Sequence, residues 1–241
     1  MKDLYKIPRL YTEQDLKQDQ TVSLTTEQAH YLNTVLRLSA DHPLRLFNGR
    51  DGEWLTHITT LERKSGALTP IRQTREQTAK KKPTRLLFAP IKKTRLNMLI
   101  EKAVELGVDE LHPVITERTE NRKLNIERIE TQIKEAAEQC ERLEIPTLHT
   151  PKPLKGKLGE WSGQTPLYWA SERDQSAPHL SYQKNISDFL IGPEGGFTDN
   201  EHEFLDNHSS VHTISLGTAI LRAETAAIFC LSHVKLNIDT A

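Results

Sequence analysis

From residue 85 onward, short unbroken apolar runs alternate with segments of helical period, and this alternation restricts the fold more than any other feature of the sequence. Leu86-Leu87-Phe88-Ala89 is a continuous apolar run ended by Pro90. It precedes a helix with Leu96, Leu99, Ile100, Ala103 and Val104 on one face, and Gly107 is its expected stop, because helices commonly end on a glycine at positive φ. Leu111 to Ile115 is the next strand. Asn125 then caps a helix whose Ile126, Ile129, Ile133, Ala136, Ala137 and Cys140 share a face. Leu167 to Ala170, Phe189 to Ile191 and Val211 to Ser215 are three further runs, two of them followed by helices. Strands of this kind need cover on both sides, so the pattern predicts an α/β fold with a mostly parallel sheet and helices on both faces. Ligand sites in such sheets form where loops leave the carboxyl ends of the strands.

The first seventy residues follow a different rule. Leu44 to Phe47 is a compact apolar run closed by Asn48-Gly49, and Asp51-Gly52 follows; both dipeptides supply positive φ in tight turns. One helix interrupts these short β segments, with Thr26 as its expected cap and Ala29, Leu32, Val35 and Leu36 at near-helical spacing. Gln73 to Thr84, containing Lys80-Lys81-Lys82-Pro83, is too polar to bury a face and reads as a linker. The expected division is 1–72, a linker at 73–84, and 85–241.

Composition matters mainly for what it excludes. With 36% hydrophobic and 27% charged residues in a chain of 241, the sequence is that of a folded globular protein. No window approaches the roughly 18 consecutive apolar residues of a membrane helix, and MKDLYKIPRL lacks the apolar core of a signal peptide, so a cytoplasmic location is expected. Cys140 and Cys230 both fall in apolar helical patterns and are expected to be buried thiols. Charge is nearly balanced overall, yet residues 72–95 carry nine basic side chains (among them Arg72, Arg75, Arg85, Lys92, Lys93 and Arg95) against Glu76 alone. Clustered Lys and Arg are what bind polyanions, so this stretch is a candidate phosphate-binding surface; a solvated linker is the alternative.

Two loops in the last third combine glycines with charge. The first is Ile191-Gly192-Pro193-Glu194-Gly195-Gly196-Phe197-Thr198, where Gly192, Gly195 and Gly196 let the backbone come close to a ligand, and Thr198 with Glu201 forms a capping box for a following helix. The second runs from Ser215 through Leu216, Gly217, Ala219, Ile220, Leu221, Arg222, Glu224 and Thr225 into the apolar helix Ala226 to Val234. Either alone could be only a tight turn or an ion-paired helix start. His202, His208 and His212 lack acid or cysteine partners at a recognised ligand spacing, so no metal is expected.

The IGPEGG block and the LG-x-x-ILRAET block, in that order and about one strand and helix apart, resemble the signature of the SPOUT methyltransferases and of the RsmE family in particular. Further similarity runs along nearly the whole chain. It includes Ile7-Pro8-Arg9-Leu10-Tyr11, His30 with Val35-Leu36-Arg37, Glu101 to Val108, and Glu138-Gln139-Cys140-Glu141-Arg142 with Ile145-Pro146. The family more often has an arginine where this chain has Ala219. The resemblance implies a C-terminal domain tied in a deep trefoil knot and a small PUA-like N-terminal β-barrel. It implies S-adenosylmethionine held by the backbone around Leu190, Ile191, Gly192, Pro193, Glu194, Gly195 and Gly196, by Leu216, Gly217, Ala219, Ile220, Leu221 and Thr225, and by a wall at Ala170 to Glu172. It also implies a homodimer, with no DNA and no membrane partner, acting on N3 of a uridine in 16S ribosomal RNA, within the small subunit.

For that reaction Arg222 is the candidate for stabilising negative charge on the base or fixing a phosphate, since a guanidinium offers several donors in a rigid fork. Glu224 could act as base or orient Arg222. Arg9, Arg37, Lys92, Lys93 and Arg95 are the further candidates for RNA contact. Two rival readings are a SPOUT enzyme acting on another RNA or atom, and a non-catalytic ribosome-assembly factor that uses the basic stretch and the small β domain.

Overall fold

The structure is a computed structural model that describes residues 4–78, 82–161, 165–171 and 176–239, with side chains to 237. The chain divides into two compact units, Met1–Lys80 with Ala137–Ile145, and Lys81–Ala136 with Pro146–Ala241.

In the first unit, strands β1 (Arg9–Tyr11), β2 (Val22–Ser23), β3 (Pro43–Phe47), β4 (Glu53–Leu61) and β5 (Gly66–Arg75) form one sheet in the order β1-β3-β4-β5-β2. The long β4–β5 hairpin is antiparallel with three register shifts, irregularities of the kind that bend a strand. Gly49 and Gly52 take φ values of +75 and +74, as the turn dipeptides require. Leu10, Leu16, Val22, Leu32, Leu44, Leu46, Ile58 and Leu68 fill the core. Helix α1 (Thr26–His30) is capped by Thr25 rather than Thr26, through a full capping box with Gln28, and it continues as a π turn over Tyr31–Val35. β5 runs to Arg75, three residues into the stretch expected to be linker.

The alternation beyond residue 85 becomes a parallel sheet. Its members are β6 (Arg85–Phe88), β7 (Glu110–Ile115), β8 (Thr147–Leu148), β10 (Leu167–Ala170), β11 (Asp188–Ile191) and β12 (Val211–Ile214), in the order β12-β10-β11-β6-β7-β8, with β9 (Lys152–Pro153) paired to β7. Every pairing in it is parallel. Helices α2 (Lys93–Glu105), α3 (Ile126–Gln139), α4 (Leu154–Gly159), α5 (Asp199–Asp206) and α6 (Ala223–Asp239) connect or follow the strands. Both predicted helix punctuations hold: Gly107 follows the end of α2 at φ +92, and Asn125 Oδ1 accepts from the Arg128 amide at the start of α3. Leu87, Val114, Leu154, Leu167, Trp169, Leu190 and Leu205 form the core.

One expectation about α3 fails. The helix ends at Gln139, so Cys140 drops out of the helical phase that placed it on the apolar face, and it is exposed. Cys230, well inside α6, is buried as expected, and burial pushes its thiol pKa up.

No helix among the described residues is long and apolar enough to cross a membrane.

Candidate functional site

Strand order reverses between β6 and β11: the chain first builds outward through β7 and β8, then returns to place β11, β10 and β12 on the other side. Crevices at such switch points, beyond the carboxyl ends of the strands, are where open α/β sheets bind ligands. Both glycine-bearing loops leave from these ends, the first after β11 and the second after β12.

A cavity of about 440 Å³ including its open mouth lies at the carboxyl ends of β10, β11 and β12, on one side of that reversal. Ala170 and Ser171 after β10, Ile191 and Gly192 after β11, Leu216, Gly217, Ala219 and Leu221 of the second loop, and Ala223 and Ala226 of α6 line it. A second cavity shares Ala170, Ser171 and Gly192 and extends past Glu194, Gly195, Gly196, Phe197, Trp169, His202 and Arg118. The first wall is almost entirely small or aliphatic, so polar recognition in it falls to backbone N–H and C=O groups.

Local chemistry shapes each loop. A Cβ on Gly192 would sit 2.7 Å from the Phe197 ring, so only glycine lets that aromatic close over the loop. Gly196 at φ +68 donates its N–H to Pro193 O, closing the turn. The capping box is formed, with Thr198 Oγ1 accepting from the Glu201 amide and Glu201 accepting from the Thr198 amide at 3.0 Å. Buried Glu201 also accepts from the Glu117 amide at 2.9 Å, and Arg118 Nη1 donates to Gly195 O and Phe197 O, so the segment after β7 braces the first loop. The second loop is braced by residues 178–180: Ser215 donates its amide to Pro178 O and accepts from the Leu180 amide. Gly217 follows at φ +116.

Several predicted residues stand elsewhere. Leu190 is fully buried in the sheet core, and Pro193, Ile220 and Thr225 line neither cavity. Glu172 lies outside the described residues, as do Lys80 and Lys81. Arg222 is exposed, and its guanidinium makes no hydrogen bond or ion pair among the described residues. Glu224 has a side chain only 7% exposed, with Oε1 facing Arg95 Nε at 3.7 Å and Oε2 without a hydrogen-bond partner. It therefore orients nothing on Arg222, and its carboxylate lines neither cavity.

Arg9 corrects the RNA-contact assignment most clearly. Its side chain is 3% exposed, bonded to Glu53 at 2.6 Å, to Ala137 O and to Arg142 O, and stacked over Phe47. Every face of the guanidinium is used inside the first unit. Arg37 is exposed in a left-handed turn at φ +54. Lys92 and Lys93 are exposed beside the first loop, whereas Arg85 is spent on Glu110 and Asp188.

Trp169, Arg118, Asp199 and His202 line the second cavity without having been proposed for the site from the sequence. The Thr198 capping box pointed to the turn that places Phe197; Arg118, bonded to carbonyls 77 and 79 positions away, carried no local signal. At the opposite end of the sheet, His112 and His149 share Glu110 Oε2 at 3.0 and 3.2 Å. Their rings stack 3.9 Å apart at 17°, and the three side chains bring possible ligand atoms within 4.8 Å of one another, a grouping the sequence spacing did not suggest.

Comparison with known proteins settles the family. A model of the RNA methyltransferase domain matches residues 78–235, and one of the RNA methyltransferase PUA domain matches residues 24–71. The ribosomal RNA small subunit methyltransferase E of Rickettsia conorii is 35% identical over 237 residues, covering 96% of each chain. The chain belongs to the ribosomal RNA small subunit methyltransferase E family. The family's Bacillus subtilis protein is 28% identical over 95% of this chain and 94% of its own. Among solved structures, the Neisseria gonorrhoeae family member bound to S-adenosyl methionine superposes with a TM-score of 0.85 at 25% identity, covering 95% of this chain and 97% of that one. A Legionella pneumophila methyltransferase, also with bound cofactor, gives 0.82 at 29% identity, over 95% and 97%.

Proposed function

We propose that the chain methylates N3 of a uridine in 16S ribosomal RNA of the small subunit, using S-adenosylmethionine, as a cytoplasmic homodimer whose knotted loops form the cofactor site. The observation that carries this reading is the cavity where both loops meet at the carboxyl ends of β10, β11 and β12, with a wall of small residues and open backbone. Those residues fit the cofactor: its adenosine is flat and polar, and a wall of small residues with open backbone, where a Cβ on Gly217 would meet nothing nearer than His179 Nε2 at 3.8 Å, suits it.

When bound, the cofactor supplies an electrophilic methyl on a sulfonium. The chain's own part is alignment and exclusion of water, because a displacement of this kind needs the two reacting atoms held in line. Uridine N3 lies on the pairing edge, so the base must be unpaired or flipped out to be reached. Arg222, exposed and unengaged beside the second loop, can stabilise the anion left when the N3 proton passes to solvent, or fix an adjacent phosphate. Lys92, Lys93 and Arg37 supply exposed positive charge for the RNA backbone. Glu224, withdrawn from both cavities, holds structure rather than protons. Exposed Met98 on α2, Phe229 on α6 and Ile220 on the second loop supply apolar surface for a second copy that would complete the site.

Incubation of the protein with labelled S-adenosylmethionine and small subunits from a strain lacking the enzyme, followed by mass analysis of the nucleosides, tests the reading. 3-Methyluridine supports it. Another methylated nucleoside overturns the acceptor, and no methylation with no cofactor binding overturns the activity in favour of a non-catalytic assembly factor.

A further inference from the structure

A cation on α2 reaches both loops of the cavity. Arg95, on the first turn of α2, places Nη1 3.3 Å from Glu194 Oε1 of the first loop and Nε 3.7 Å from Glu224 Oε1 at the head of α6, where the second loop ends. Glu194 Oε1 also meets the Lys92 amide at 3.5 Å, at a helix start with no side-chain cap of its own. The two carboxylates differ in environment: the Glu194 side chain is 25% exposed, the Glu224 side chain 7%.

That difference decides what the bridge does. An ion pair in solvent is nearly neutral to remove, because water replaces the partner. A carboxylate inside the protein with its cation removed is left uncompensated, and its surroundings must move to hydrate it. Glu224 already has one oxygen without a partner, so Arg95 is the cation that makes its charge tolerable at this place. The surroundings that would move are the start of α6, whose Ala223 and Ala226 wall the first cavity, and the loop of Glu194, which walls the second.

We propose that Arg95 is a positioning residue of the cofactor site, holding the two loops in their binding shape through Glu194 and Glu224 rather than serving only as an RNA contact. This rests on the reading that the cavity takes S-adenosylmethionine. It predicts a defect in cofactor affinity and in KM for the cofactor, with kcat at saturating cofactor much less affected, whereas a pure RNA contact would leave cofactor binding to the free protein unchanged.

The test is calorimetric titration of the full chain with S-adenosylmethionine, without RNA, for wild type, Arg95→Ala, Arg95→Lys, Glu224→Gln and the double variant Arg95→Ala/Glu224→Gln. The expected result is about tenfold or greater loss of affinity for Arg95→Ala, substantial recovery with Arg95→Lys, and partial recovery in the double variant, where the buried carboxylate is gone and only the partly exposed Glu194 has lost its partner. If Arg95→Ala does not fold, restoration of folding by Glu224→Gln supports the proposal, and failure to restore it overturns it. Affinity within about twofold of wild type for Arg95→Ala, or a loss that neither second variant relieves, overturns the positioning role alone. A wild-type protein that binds no S-adenosylmethionine overturns the reading of the cavity, and this inference with it.

Discussion

At the scale of single residues, the same side-chain type serves opposite ends according to burial. Arg9 and Arg222 both belong to segments that resemble the family's sequence blocks, yet one is enclosed by Glu53, Phe47 and two carbonyls while the other stands in solvent. Arg9→Ala is expected to destabilise the protein by about 3 kcal/mol in urea unfolding, with Arg45, 3.7 Å from Glu53, keeping the loss at the lower end for a broken buried pair. RNA affinity of the folded variant should stay at the wild-type value. Arg222→Ala should do the reverse, leaving the unfolding midpoint in place while lowering methylation. His112 adds a pH dependence. Burial, with Lys157, His149 and Arg85 nearby, lowers its pKa to about 3, so it stays neutral where the unfolded chain takes up a proton. Its contribution to stability is complete above about pH 6.5 and is lost as the pH falls toward 3, at a slope of no more than about 1.4 kcal/mol per pH unit. Urea unfolding between pH 7.5 and 5 should show a shallower loss for His112→Gln than for wild type.

At the scale of elements, what the sequence made legible was whatever a short window contains. Leu167 to Ala170 forms a strand with those bounds, the helix stop at Gly107 holds, and the Thr198–Glu201 capping box forms, because apolar period and capping are settled within a few residues. The cap at Thr25 instead of Thr26 shows the usual one-residue latitude of helix ends. What was not legible depends on partners far along the chain. Arg9 finds its acceptors 128 and 133 positions away, and Cys140 leaves its helical face only because α3 stops at Gln139. In the candidate site the glycines and both loops were readable, while the bracing by Arg118 and the withdrawal of Glu224 were not. Glu201 links the two levels, being a local cap and also the acceptor for the Glu117 amide. Glu201→Ala should therefore cost more than the roughly 1 kcal/mol of an ordinary lost cap, on the order of 2 kcal/mol in thermal or urea unfolding, and weaken cofactor binding as well. Thr198→Ala should cost only the cap.

At the scale of the whole molecule, sequence order and spatial grouping part company at residues 137–145. This segment follows β6, α2, β7 and most of α3 in the chain, yet it clusters with the first unit. Glu138 accepts from the Tyr11 amide, Glu141 pairs with Arg45, Arg75 donates to Glu141 O, and Gln77 bonds to Glu144. A fragment ending at residue 80 should be strongly destabilised, since Arg9 loses two acceptors and Arg45 loses a carboxylate; circular dichroism melts of residues 1–80, with and without a linked copy of 137–145, check this. The consequence reaches to how the protein is made. A nascent chain that has delivered only its first eighty residues cannot finish its first unit, and must wait until over a third of the second has emerged. A chain with all the parts of its first unit in hand has therefore already delivered residues 81–136 of the second.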